Sequence, residues 1–212
     1  MTATFIVGRT DLRQTRWQDT PAAPLAAGTV RAHIDRFALT SNNITYGAFG
    51  EGMNYWSFFP TGEAGTGCIP VWGFATVTES RCESVAAGER FYGYYPIADE
   101  VVLHPVHVDA NRFLDGAPHR RELHSVYNQY LRCSSDPLYS PANEAVLAAA
   151  GGCRPGQTGD RIDLFGPARR HRARERRPDP CRLTSRSGRA ALNPARPRPI
   201  PPQCSVKYCV KE

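Results

Sequence analysis

The feature that most limits this chain is a break in composition at "AAAGGCRPG", residues 148–156. Of 21 aromatic residues only Phe165 and Tyr208 lie beyond Arg154, and nine of the 18 prolines lie there. From Arg154 onward fifteen basic residues face five acids, a balance of +10, while the rest carries 11 basic residues against 15 acids, a balance of −4. A segment of Arg, Pro, Gly and Ala without a periodic apolar run cannot bury enough surface to offset chain entropy. The fold therefore belongs to residues 1 to about 150, long enough for one domain with a real core. Residues 151–212 read as a disordered, basic, Arg/Pro-rich tail.

Within the first 150 residues the patterning is mainly β. "TFIVGR" reads as a first strand, followed by the connector "DTPAAPLAAG". In "TVRAHIDRFALT", Val30, Ala32 and Ile34 alternate with Arg31, His33 and Asp35, the period of two of a half-buried strand. "CIPVWGFATVTES" is a longer strand in which Gly73 marks a bulge or a close backbone approach. "GERFYGYYPIADEVVLHP" holds two strands around Pro96. Short apolar segments punctuated by Gly and Pro point to a small, partly open β-barrel. Two helical stretches follow. "HRRELHSVYNQYLRC" places Leu123, Val126, Tyr127, Tyr130 and Leu131 at helical spacing, and "SPANEAVLAAA" opens with Ser140 as an N-cap and Pro141 at the first helical position.

Several function classes recede on composition. Seven widely spaced cysteines without a Cys-x-x-Cys pair form neither a disulfide framework nor a zinc motif, and free thiols in a reducing cytoplasm are expected. His104 and His107 in "HPVH" lack a third ligand. No apolar run approaches the roughly 20 residues of a membrane helix, so no membrane partner is expected. The charge run "RRHRARERRPDP" invites phosphate contact, but the tail lacks aromatics to stack on bases, so nucleic acid is an unlikely partner.

The chemistry-bearing stretch is "FALTSNNITYGAFGEG", residues 37–52, where a strand runs into two asparagines and a tyrosine. Two readings stand side by side. Asn43 caps a short helix with Tyr46 packed beneath it, or these polar groups face a ligand. The next segment, "MNYWSFFPTG", gathers Tyr55, Trp56, Phe58 and Phe59, either as a flat apolar pocket or as a core plug. Asn128 in "VYNQY" falls off the apolar stripe and is a further site candidate.

The order of these segments resembles the GroES-like half of the medium-chain dehydrogenase/reductases. Pro70 and Gly73 partly match that superfamily's "P-x-x-x-G-x-x-x-x-G-x-V" strand, and Ala87, Gly88, Glu89 and Arg90 match its "V-G-D-R-V" turn. "DRFALTSNNITYGAFGEGMNYWSFFPT", "IPVWGF", "GERFYGYYPIAD" and "VYNQYLRC" resemble more closely an uncharacterised family, domain of unknown function 2855. The resemblance implies a GroES-like barrel from a zinc-free, quinone-reductase-like lineage that reduces a carbonyl or activated alkene with NADPH. By position it implies Asn42 and Asn43 near the nicotinamide and Tyr46 as a proton or hydrogen-bond donor. With no Cys or His at "TSNNITYG", it implies no metal.

The tail departs from that family. No G-x-G-x-x-G follows a plausible strand, so the dinucleotide-binding turn is missing, and "GGCRPGQTGD" and "SRSGRAAL" do not supply it. A GC-rich gene read out of frame yields an Arg/Ala/Pro/Gly composition of this kind. The expectation is a truncated, frameshift-altered reductase relative, inactive without its dinucleotide half. The alternative is a non-enzymatic binding protein whose basic tail engages nucleic acid or another polyanion.

Overall fold

A computed structural model describes residues 1–22 and 24–151, with the backbone of 209–210. The chain divides into two units, Met1–Pro155 with Val206–Glu212, and Gly156–Ser205. The reading of residues 151–212 as a disordered tail lies outside the described residues except at 151 and at 209–210, whose backbone is a strand.

The fold is mainly β, a nearly closed barrel-like sheet with few helices, as the alternation in the sequence implies. Its centre is a run of three antiparallel strands: β3 (Val30–Leu39), β5 (Pro70–Ser80) and β6 (Arg90–Pro96). Beyond β6 come β10 (Gln129–Arg132), β9 (Arg112–Asp115) and β8 (Pro105–Val106). The other edge of β3 pairs with β7 (Glu100–Leu103), and with β11 (Cys209–Val210) at Leu39 and Ala38. Only His104 separates β7 from β8, so one bent stretch of chain serves both edges of the sheet. Asp115 holds that bend, accepting the His104 N–H at 3.0 Å while the His104 carbonyl accepts from Gly116 N at 2.8 Å. A second sheet joins β1 (Thr2–Gly8), β2 (Thr15–Thr20) and β4 (Thr66–Gly67). It meets the barrel through Phe5 N to Ile97 O at 2.7 Å and Asp99 N to Ala3 O at 3.0 Å.

Strands β5 and β6 are buried on both faces. Val71, Ala75, Val77, Phe91 and Tyr95 fill the barrel with Val30, Ala32 and Ile34. Trp72, Phe74, Tyr92 and Tyr94 form a second core on the outside, covered by α1 (Ser41–Ala48) and α2 (Glu144–Ala149). Gly73 pairs with Gly93 across the two strands. A methyl on Gly73 would overlap the Arg36 carbonyl, where the β3–β5 register shifts, and one on Gly93 would overlap the Tyr130 ring. The close approach expected at Gly73 is thus present.

The stretch expected as one helix over 119–133 folds differently. It holds two 3-10 turns, Pro118–Arg120 and Ser125–Asn128, and then β10. Tyr130 decides this: it is wholly buried inside the barrel, stacked on Phe113 at 5.1 Å, which requires strand geometry. The pairing partners lie far away in the chain, so local periodicity misleads. The second helical stretch forms in two pieces: Ser140 caps a 3-10 turn, Pro141–Asn143, with Asn143 completing the capping box, and α2 follows from Glu144. A clamp fixes it to the barrel. Arg90 reaches Glu144 at 2.6 Å and Asp35 at 2.8 Å, and Tyr139 Oη donates to Glu144 at 2.8 Å.

Gly93→Ala is expected to destabilise the protein by about 1–3 kcal/mol through overpacking against Tyr130. Gly52→Ala, which meets open space, is expected to stay within about 0.5 kcal/mol. Urea unfolding of both variants checks this.

Candidate functional site

Between β3 and α1 a single residue, Thr40, turns the chain. Its backbone is extended (φ −125°, ψ 173°) and it is the N-cap of the helix. Asn43, the third helical residue, folds its amide back. Its Oδ1 accepts from Thr40 N at 2.6 Å and Thr40 Oγ1 at 3.3 Å, and its Nδ2 donates to the Pro70 carbonyl at 2.8 Å. Both ends of the amide are engaged, and together they pin α1 to the start of β5. The helix thus starts earlier than the capping reading places it: Thr40, not Asn43, is the N-cap, and Asn43 closes a capping box from inside the helix. Its neighbour Asn42 is exposed.

Tyr46 lies one turn further on, buried beneath the helix. Its hydroxyl accepts from Trp72 Nε1 at 3.4 Å. Its ring meets Tyr55 at 4.7 Å, Tyr94 at 5.6 Å and Tyr127 at 6.4 Å. Tyr127 in turn lies 4.6 Å from Tyr94 and 5.3 Å from Phe58, and its hydroxyl is 3.4 Å from that of Tyr55. Edge-to-face and tilted pairs at these distances are mutually stabilising. Tyr46, Tyr55 and Phe58, read from the sequence, therefore converge with Trp72, Tyr94 and Tyr127. The last three sit on β5, β6 and the Ser125–Asn128 turn. They were not legible as site residues, because strand pairing rather than sequence proximity brings them together.

Trp56 goes elsewhere. Its indole fills the space beside Gly50 and Gly67, with the Arg9 guanidinium 5.9 Å above it. Asn128 is buried beside the cluster and donates from Nδ2 to the Arg120 carbonyl at 3.0 Å. Arg120, itself 1% exposed, packs its guanidinium on Phe58 and Phe59 at 5.3 and 4.7 Å. It donates from Nη1 to Asp115 Oδ2 at 2.5 Å and to the Tyr130 hydroxyl at 2.9 Å.

The electrostatics keep Tyr94 and Tyr130 neutral. Burial pushes Tyr94 well above the usual tyrosine value, and the neighbouring Tyr46 and Tyr127 hydroxyls add to this. Burial likewise pushes Tyr130 up to about 12. For Arg120 burial pulls downward, but Tyr130 and Asp115 outweigh it and leave the pKa raised, so the side chain stays charged. Cys68, pushed up to about 12 by burial, is an unreactive thiol. Among the described residues no three His, Cys, Asp or Glu side chains come together to hold a metal ion. No helix among them is long and apolar enough to cross a membrane.

The model of a family described as "Protein of unknown function (DUF2855)" matches residues 37–153, more than half of the chain. The chain belongs to the DUF2855 family. The match takes in α1, the whole aromatic cluster and the Arg120 network, and leaves β1 and β2 outside. Among solved structures, this DUF2855 member is similar to the CurF ER cyclopropanase from the curacin A biosynthetic pathway. The identity is 17% and the TM-score 0.40, over 49% of this chain and 33% of that one. The chain thus spans about a third of that protein's length. No curated protein matches the sequence.

Asn43→Ala removes a cap and strands the Pro70 carbonyl, so a loss of about 1–2 kcal/mol is expected, against about 0.5 kcal/mol or less for exposed Asn42→Ala. Thermal melts of the two variants test the assignment.

A second expectation concerns alkaline pH. An unfolded tyrosine ionises near pH ~10, whereas Tyr130 is pushed up to about 12. A raised folded pKa stabilises below the unfolded value, and that stability is lost as pH rises from about 10 towards 12. Ultraviolet absorbance should show the buried phenolates of Tyr94 and Tyr130 appearing only with unfolding.

Proposed function

We propose that the aromatic cluster is the substrate side of a zinc-free, NADPH-dependent reductase acting on a carbonyl or an activated alkene. The chain turns over only when a dinucleotide-binding half is supplied with it. The observation that carries this reading is the Thr40–Tyr46 segment, which follows the end of a barrel strand and delivers a buried phenol into a nest of aromatic rings.

Each residue then has a distinct task. Tyr46 Oη donates a hydrogen bond, and finally a proton, to the substrate oxygen. Tyr55, Phe58 and Tyr127 form the apolar wall that excludes water. Asn43 holds α1 against β5 and so fixes where the Tyr46 hydroxyl stands. Asn42, exposed on the first turn, is the amide available to a nicotinamide carboxamide. Neither described α-helix follows a glycine-rich turn, so nothing in the described residues fits the pyrophosphate. NADPH, when bound, supplies the hydride, and its phosphates must be held by the other half.

The test is a chimera of residues 1–155 with the dinucleotide-binding half of a full-length relative, assayed for NADPH oxidation with aldehydes and enones. Turnover is expected, and Tyr46→Phe should lower it on the order of 100-fold. The stability cost should stay near 1 kcal/mol. A chimera that folds and binds NADPH yet reduces neither substrate class overturns the reading. Normal turnover in Tyr46→Phe assigns Tyr46 to packing alone.

A further inference from the structure

An indole N–H is a donor and nothing else, so the direction in which a buried one points is informative. Trp72, 7% exposed, directs its Nε1–H to the Tyr46 hydroxyl oxygen at 3.4 Å. The ring has little freedom to turn elsewhere. Its backbone lies in the middle of β5, paired with Ala38 of β3 on one side and Tyr94 of β6 on the other. The indole stacks on Tyr92 at 5.6 Å and 16°, and meets Tyr94 at 5.1 Å and Tyr127 at 6.0 Å. Gly151 lies over the edge that carries the N–H: a methyl there would stand 3.5 Å from Cδ1 and 3.8 Å from Nε1 of Trp72.

Because the indole cannot accept, the phenol oxygen is the acceptor, and the Tyr46 O–H bond is turned away from Trp72. That orientation matters for a proton donor. When Tyr46 acts, its O–H bond breaks, the electron pair stays on the phenol oxygen, and the proton joins the substrate oxygen charged by the reduction. The rings that pack on Tyr46, those of Tyr55, Tyr94 and Tyr127, bring no positive charge to meet the pair left behind. A hydrogen bond to an ionised oxygen is shorter and about twice as strong as one to a neutral oxygen. At 3.4 Å the bond to the neutral phenol is long. It tightens as the charge gathers, so it favours the reacting state over the resting one, and a donor already fixed in a dry site needs no reorganisation.

We infer that Trp72 is a positioning residue for Tyr46: its indole N–H fixes the direction of the phenol O–H and stabilises the oxygen as the proton leaves. This rests on the reductase reading and adds to it a division of labour. Asn43 sets where the helix stands, and Trp72 sets how the hydroxyl is aimed.

The first arm of the test uses the full chain without cofactor. The sequence has three tryptophans, so labelling their indole nitrogens gives three NMR signals, and Trp72→Phe identifies that of Trp72 by its loss. Tyr46→Phe keeps the aromatic ring and removes only the acceptor. It should move the Trp72 indole proton upfield and speed its exchange with solvent about ten-fold or more, while the signals of Trp17 and Trp56 stay in place. An unmoved Trp72 signal in folded Tyr46→Phe overturns the proposal, and this arm stands even where Trp72→Phe fails to fold. The second arm uses the chimera. Trp72→Phe should lower kcat about ten-fold with KM for NADPH unchanged, and should have no further effect in a Tyr46→Phe background. An equal loss in both backgrounds assigns Trp72 to packing and overturns the proposal. A chimera inactive with Trp72 and Tyr46 intact counts against the reductase reading instead, and the indole signal then still decides whether Trp72 holds the Tyr46 oxygen.

Discussion

Burial of both faces of β5 and β6 is the constraint on which the rest of this structure depends. A strand with one solvated face needs a single covering layer, and these two need an inside and an outside. The inside is supplied by the closed curvature of the sheet, with Phe113 and Tyr130 filling it from β9 and β10. The outside is supplied by α1, the Tyr55–Ser57 turn and α2. The Gly73–Gly93 pair is where the two demands meet. Side chains there are omitted so that Tyr130 and the Arg36–Phe37 backbone can come close.

The two arginine networks answer different problems. Arg90 ties α2 to the barrel from the half-buried edge of the sheet, with one arm on the buried Glu144, which Tyr139 also contacts, and the other on the exposed Asp35, where an ion pair contributes modestly and depends on salt. Arg120 with Asp115 lies in the interior, where two charges must be kept together by geometry and further hydrogen bonds. Asp115 also receives the His104 and Ala117 N–H groups, so the same carboxylate shapes the β7–β8 bend and orients the guanidinium. Loss of Asp115 would therefore be felt at the sheet edge and around Arg120 together.

The barrel strands were legible because their signal is local. The alternation in Val30–Ile34 and the apolar run at 70–77 are visible in the sequence, and Gly73 announced its close approach. What depended on distant pairing was not legible. Residues 119–133 carry a helical spacing of apolar residues, yet Tyr130 is drawn into strand geometry by Phe91, Tyr95 and Phe113. Strand β2 escaped notice because its residues are polar and mostly exposed, so it carries no apolar period. The candidate site divided in the same way. A capping role for Asn43 was legible from its place at a strand end, though Thr40 is the N-cap, whereas Tyr94 and Arg120 enter the site only once β6 and the Pro118–Arg120 turn are folded against the 55–59 segment.

The bend at His104 bears on how such a chain reaches its native state. Because β7 pairs with β3 while β8 pairs with β9, the sheet closes only when a segment near residue 104 finds a strand some 70 positions earlier in sequence. The β5–β6 hairpin is local and cheap to form, but ring closure demands a long loop before it returns any contact energy. The assembly of this barrel is thus governed by one late, topologically distant event, and a domain of this size is expected to fold in milliseconds to seconds rather than microseconds.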